Sequence, residues 1–160
     1  MRRLIMLLLM QGAFLSSPFL FAAVEIKKDM TLVESPAQLK WSPGPEVLPA
    51  GTEIAVLHGN PQESGLYAIR LKFPANFRIP PHWHTLDENI TVISGTFYLG
   101  MGEKFDQSKG TKLPAGGFAS IPAKTGHFAW TTEPTVIQLN NMGPFTIHYY
   151  NLADDPRQKK

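Results

Sequence analysis

Three histidines and one glutamate are spaced so that they could close around a single metal ion. His82 and His84 flank Trp83 in the stretch PPHWHTLDE, and Glu88 lies four positions beyond His84. Pro80 and Pro81 cannot sit in a helix interior, because each lacks the amide proton and its ring clashes with the preceding turn, so the stretch reads as extended. Alternate side chains of an extended chain share a face, which puts His82 and His84 about 6–7 Å apart at Cβ on one side and Trp83 on the other. Two imidazoles at that spacing can share an ion held about 2.0–2.1 Å from each nitrogen. Glu88 has the same parity and can return as an oxygen ligand if the chain turns after Thr85. A further imidazole is offered by His127, which opens a strand after the turn at residues 122–126 in GGFASIPAKTGHFAW.

The elements that must position these groups are short strands. Residues 90–93 form a β-rich apolar run directly after Glu88. Residues 52–58 and 65–73 read as strands, the second with Tyr67, Ile69, Leu71 and Phe73 on one face and Ala68, Arg70 and Lys72 on the other. Further strands are expected at 96–99, 118–121, 136–140 and 145–151, with 107–117 as a polar loop and 154–160 as a frayed tail. No segment carries a helical period over ten or more residues, and Gly and Pro punctuate the chain throughout, so the fold class is all-β.

The spacing of these residues resembles the two motifs of the cupins. The first, G(x)5HxH(x)3-4E(x)6G, is matched by His82, His84, Glu88 and Gly95, with Asn76 in place of the leading Gly. The second, G(x)5PxG(x)2H(x)3N, is matched by Gly116, Pro122 and His127, with Lys124 in place of the middle Gly and Thr131 in place of the final Asn. The resemblance implies a cupin-type double-stranded β-helix, a jelly-roll barrel. It also implies a divalent transition metal held by His82, His84, Glu88 and His127. Such a donor set suits Fe, Mn, Zn, Ni or Cu, and affinity order does not choose among them.

Four protein ligands on an octahedral ion leave two positions for a small oxygenated substrate, the arrangement that cupin oxygenases, decarboxylases and isomerases use. Zinc held tetrahedrally by all four would instead be closed and structural or regulatory. The resemblance therefore supports two functions: a metal-dependent enzyme, or a non-catalytic cupin that binds a metal or small molecule, like the sensing cupin domain of zinc-binding anti-sigma factors. Phe97, Tyr98, Gln138 and His148 are candidates for lining the pocket, with His148 as an acid or base. Arg70 could meet an anionic substrate, although its parity opposes the apolar face of its strand. His58 has no partner in sequence.

Composition limits what else the chain can do. Residues 1–22 have a positive start at Arg2 and Arg3, an apolar stretch and small residues at Ala22 and Ala23, the pattern of a secretory signal peptide. Taking Arg2 and Arg3 from the fifteen basic residues leaves thirteen against thirteen acidic ones, so the exported chain is close to neutral. No basic stripe supports nucleic-acid binding. Cysteine is absent, which excludes disulfides and a cysteine-linked lipid anchor. A periplasmic or secreted protein is expected, free of the membrane after cleavage, with residues 23–50 as an N-terminal arm and 51–153 as the cupin domain; the resemblance to cupins implies a homodimer in which that arm packs on a neighbouring subunit. Trp41 reads as a cap on the core rather than as part of a binding platform.

Overall fold

The computed structural model describes residues 35–158. The expected signal peptide, the first part of the arm and the last two residues lie outside the described residues. Among the described residues eleven strands run in chain order: β1 (Ser42–Pro43), β2 (Glu53–His58), β3 (Gly65–Phe73), β4 (Arg78–Trp83), β5 (Glu88–Ser94), β6 (Thr96–Met101), β7 (Gly110–Pro114), β8 (Phe118–Ile121), β9 (His127–Thr131), β10 (Thr135–Gly143) and β11 (His148–Tyr149). They form two antiparallel sheets, one ordered β1-β2-β3-β10-β5-β8 and the other β11-β4-β9-β6-β7. The all-β jelly roll implied by the motifs is the fold observed.

The alternation read along β3 places Tyr67, Ile69, Leu71 and Phe73 in the core. Ile90, Val92, Ile137 and Leu139 join them from neighbouring strands of the same sheet, and Phe97 and Leu99 from the facing sheet. Burying side chains of this size stabilises by roughly 1.5–3 kcal/mol each, which lets a domain without disulfides hold together. Leu48, in the segment before β2, also reaches the core at 5% exposure. Trp41 is half-buried, with the Lys72 ammonium 4.4 Å from its ring centroid.

Several boundaries differ from the sequence expectation. Residues 110–114, read as loop, form β7 and pair with β6 from Thr96↔Pro114 to Gly100↔Gly110. β10 continues to Gly143, because its ladder with β3 runs on to Gly143↔Gly65. The strand expected at 145–151 shrinks to His148–Tyr149, since the Phe145 amide donates to the Pro61 carbonyl (2.6 Å) and the Thr146 carbonyl is taken by a histidine ring. The tail is not frayed through residue 158: Asp155 is 4% exposed and binds the Arg157 guanidinium at 2.8 Å.

The departures from the motif sequences have a backbone explanation. Asn76 and Lys124, the two residues standing where the motifs carry glycine, are the two non-glycine residues of positive φ among those described, at 57° and 62°. The turns thus keep the left-handed conformation that glycine adopts freely. Thr131, in the place of the final Asn, donates its hydroxyl to the Pro74 carbonyl (2.7 Å) and accepts from the Phe77 amide (3.3 Å). It closes the turn that contains Asn76.

Candidate metal centre

Pro80 and Pro81 shape the first half of the site. Neither has an amide to give to a ladder, and the β4–β9 register shifts between Ile79 and His82. Past that irregularity His82 pairs with His127, so two of the three imidazoles lie side by side across the ladder. Residues 84–87 turn the chain into β5, which begins at Glu88. The second motif is fastened to this turn: the Lys124 amide donates to the His84 carbonyl (2.8 Å) and the Ala123 amide to the Asp87 carboxylate (2.8 Å).

His82, His84, Glu88 and His127 are exposed by 4%, 7%, 7% and 2%. One ring nitrogen from each histidine lies within 4.8 Å of the others, so the three could hold a metal ion. Glu88 faces the same point: its Oε2 is 3.4 Å from His84 Nε2 and 3.3 Å from His127 Nε2.

The outer nitrogens settle which way the rings present themselves. His82 Nδ1 donates to the Pro80 carbonyl (2.7 Å), His127 Nδ1 to the Thr125 carbonyl (2.9 Å) and His84 Nδ1 to the Thr146 carbonyl. A carbonyl can only accept, so each Nδ1 carries a proton and each ring turns Nε2 inward, where its lone pair serves a metal once that nitrogen is unprotonated. His84 Nε2 and His127 Nε2 are buried with no hydrogen-bond partner. Buried nitrogens beside a carboxylate oxygen are satisfied either by a proton shared with that carboxylate or by a metal cation, and leaving such acceptors unpaired costs about 1–3 kcal/mol each. The donor set therefore fits a divalent metal.

The electrostatics agree. Burial, together with the neighbouring His127 and His84, holds His82 well below the ordinary histidine range. Burial would also lower His84, but the Glu88 carboxylate outweighs it and raises that ring. Burial would raise Glu88, yet His84 and His127 override it and keep the carboxyl well below its usual range. His82 and Glu88 are thus already in the deprotonated forms that a metal requires, while His84 is the group that must give up a proton.

Two spaces meet at these residues. An interior cavity of about 20 Å³ lies between His82, His84, Glu88 and His127 and an apolar wall that includes Phe73, Phe97 and Ile137. A surface dimple reaches His84 and Glu88 from the other side past Leu86, Met142 and Thr146. Phe145 lines both, with its ring centroid 5.6 Å from that of His84. Of the pocket candidates read from sequence, only Phe97 lines the cavity. Tyr98 stacks on Trp130 across the outer face (5.0 Å), and Gln138 accepts from Arg70 on the outer face of the other sheet (3.0 Å).

His148 is a correction as well. It pairs with Trp83, the residue whose side chain points away from the histidines, and its ring stacks on that indole at 4.0 Å. It therefore faces outward and is not an acid or base at the centre. Two neighbours escaped the sequence reading, and a third, Tyr67, was read only as part of its strand's apolar face. Tyr149, one position later, turns inward with its ring 5.9 Å from His82. Asn141 accepts from the Asn89 amide (2.8 Å) and donates to the Tyr67 hydroxyl (3.4 Å). Tyr67 is pushed up to about 12 by burial and the Glu88 charge. The inward parity of Tyr67 was legible, but its proximity to Glu88 depends on β10 lying between β3 and β5.

The model of the ChrR cupin-like domain family matches residues 29–146, well over half of the chain. The chain is a cupin of this family. No curated protein matches it. Solved structures resemble the cupin at the level of fold. The polyketide cyclase RemF from Streptomyces resistomycificus aligns with TM-score 0.66 and 19% identity, over 81% of this chain and 92% of that one. KdgF from Halomonas sp. aligns with TM-score 0.52 and 22% identity, over 68% and 91%. An RmlC-like cupin from Shewanella frigidimarina NCIMB 400 aligns with TM-score 0.53 and 17% identity, over 69% and 89%.

Proposed function

We propose that this cupin is an exported divalent-metal protein, its ion held by His82, His84, Glu88 and His127, and that it is a metal-dependent enzyme acting on a small oxygenated molecule. The observation that carries the reading is the pair of buried, partnerless Nε2 atoms on His84 and His127, turned toward the Glu88 carboxylate. Fe, Mn, Zn, Ni and Cu all suit three imidazoles and one carboxylate. When bound, such an ion supplies Lewis acidity toward an oxygen-bearing ligand and, if redox-active, electron transfer.

The chain's own residues supply the rest. The Pro80, Thr125 and Thr146 carbonyls fix the three ring orientations, and the apolar wall around Phe97 excludes bulk water. Tyr67, kept as a phenol at neutral pH, can donate a hydrogen bond beside Glu88. The reaction class is oxygenation, decarboxylation or isomerisation; the cyclase with this fold bears on it by analogy only, since fold does not assign chemistry. Export follows from the leader-like residues 1–22. Homodimer formation through the N-terminal arm belongs to the same proposal.

The interior cavity favours a second reading. A volume of about 20 Å³ holds one water, which needs roughly 10–15 Å³ by this measure. A site that tight suits a non-catalytic cupin that binds a metal or a very small ligand, as a sensor does. Elemental analysis of protein recovered from its native compartment, followed by oxygen uptake and substrate loss with small chelating molecules, separates the two. Turnover dependent on the recovered metal is expected of the enzyme; a tightly held ion with no turnover on any such molecule would favour the binding protein.

A further inference from the structure

His82 and His127 each lean on a carbonyl two residues away in their own strand or turn. His84 differs, because its acceptor is the Thr146 carbonyl, 62 positions along the chain. Thr146 lies between β10 and β11, outside either ladder, so no sheet register holds that carbonyl in place. Backbone bonds hold the flanking residues, Phe145 on Pro61 and His148 on Trp83, and Thr146 itself is held by side-chain contacts.

Those contacts run through two hydroxyls. The Thr146 hydroxyl accepts from the Thr85 amide (3.1 Å) and donates to the Thr85 hydroxyl (2.9 Å). The Thr85 hydroxyl in turn lies 3.1 Å from His148 Nε2. Having accepted from Thr146, it is free to donate to that nitrogen. His148 is itself fixed by its stack on Trp83 and its ladder pairing with the same residue. The bonds thus run in one direction, from Thr146 to Thr85 to His148, and bind the loop after β10 to the residue directly following His84.

We propose that Thr146 is a positioning residue for the metal centre: its hydroxyl, tied to Thr85 and through it to His148, fixes the carbonyl that aims His84 Nε2 at the ion. The proposal rests on His84 being a ligand. It also gives His148 a role from the outer face, as the anchor of this chain of bonds. Loss of such an outer partner weakens metal binding by about 10–100-fold in comparable sites.

The test is a titration of the metal-free protein with Co²⁺ and Zn²⁺, for the wild type, Thr146→Val and Thr146→Ser. Valine keeps the branched shape and removes the hydroxyl; serine keeps the hydroxyl. The expected result is a loss of about 10-fold for valine, the lower end of what losing a ligand's own outer-shell partner costs because the carbonyl itself remains, and near-wild-type affinity for serine. At saturating Co²⁺ the visible ligand-field bands of the valine variant should shift and those of the serine variant should not. If Thr146→Val does not fold, Thr85→Val removes the other hydroxyl of the pair and should show a smaller loss in the same direction, because the Thr85 amide still donates to Thr146; wild-type affinity in that variant would overturn the proposal. Wild-type affinity and spectrum in the valine variant would overturn the proposal, and so would an equal loss in valine and serine. A wild-type protein that binds neither ion would instead overturn the metal-centre reading itself.

Discussion

Replacing Glu88 by glutamine should strengthen the metal-free protein at alkaline pH while weakening its hold on metal. Above the raised range of His84 that ring has lost its proton, and Glu88 Oε2 sits 3.4 Å from its Nε2 and 3.3 Å from that of His127, with no donor between the carboxylate and either nitrogen. A glutamine amide of the same size turns two N–H donors toward those nitrogens. Each relieved acceptor removes a penalty of about 1–3 kcal/mol, part of which goes to ordering the amide, so a net gain of about 1–3 kcal/mol follows. For a chain of this length that raises the melting temperature by roughly 3–10 °C.

The sign reverses in mild acid. A histidine whose folded pKa is raised contributes stability that is fully present below its unfolded value, about 6.5, and lost as pH rises through the folded one. Near pH 6 the variant lacks the carboxylate that holds the His84 proton, so it should melt below the wild type. Metal affinity should fall by more than about 100-fold, beyond what loss of an outer-shell partner costs. Melting curves of both proteins, stripped of metal, at about pH 6 and pH 9, together with calorimetric metal titration, read all three effects. Lower stability of the variant at both pH values, with unchanged metal affinity, would refute the reasoning.

Other expectations can be checked with the same assays. Loading the wild type to 100 times its dissociation constant should stabilise it by about 2.7 kcal/mol, reversed by a chelator. Because His84 must lose its proton, metal affinity should fall as pH drops below the raised His84 range, and calorimetry in buffers of different ionisation heat should register proton release. Lys124→Gly should stabilise by up to about 1 kcal/mol in chemical unfolding, since lysine is held at φ 62° and left-handed backbone costs a non-glycine residue about 1–3 kcal/mol, partly offset by glycine's entropy. Asn76→Gly should change little, because asparagine tolerates that region. Gly110→Ala should cost about 1–3 kcal/mol by overpacking, as its Cβ would overlap the Trp130 ring on the outer face, with metal affinity unchanged.

What the sequence disclosed was the part governed by local rules. The two-residue period of strands puts His82 and His84 on one face and Trp83 on the other, and the structure agrees. Prolines and glycines marked most strand ends. The losses occurred where a side chain's direction depends on which strand lies next to it. His148 and Tyr149 are equally polar at their tips, and only the pairing with β4 turns His148 outward and Tyr149 inward. Tyr98 and Gln138 failed for the same reason, since barrel strands offer an inner and an outer face with no local mark of which is which. Asn141 escaped because its value lies in bonds to Asn89 and Tyr67, far apart in the chain. Outer-shell partners such as the Thr146 carbonyl carry no sequence signal at all, because any residue has one.

The most direct test of the centre is X-ray absorption at the metal edge of protein loaded with one equivalent of its native ion. One ion per chain with ring scattering from three histidines, falling to two in the His84→Ala variant, is the predicted result. An ion bound without histidine scattering, or no stoichiometric binding of any divalent transition metal, would contradict it.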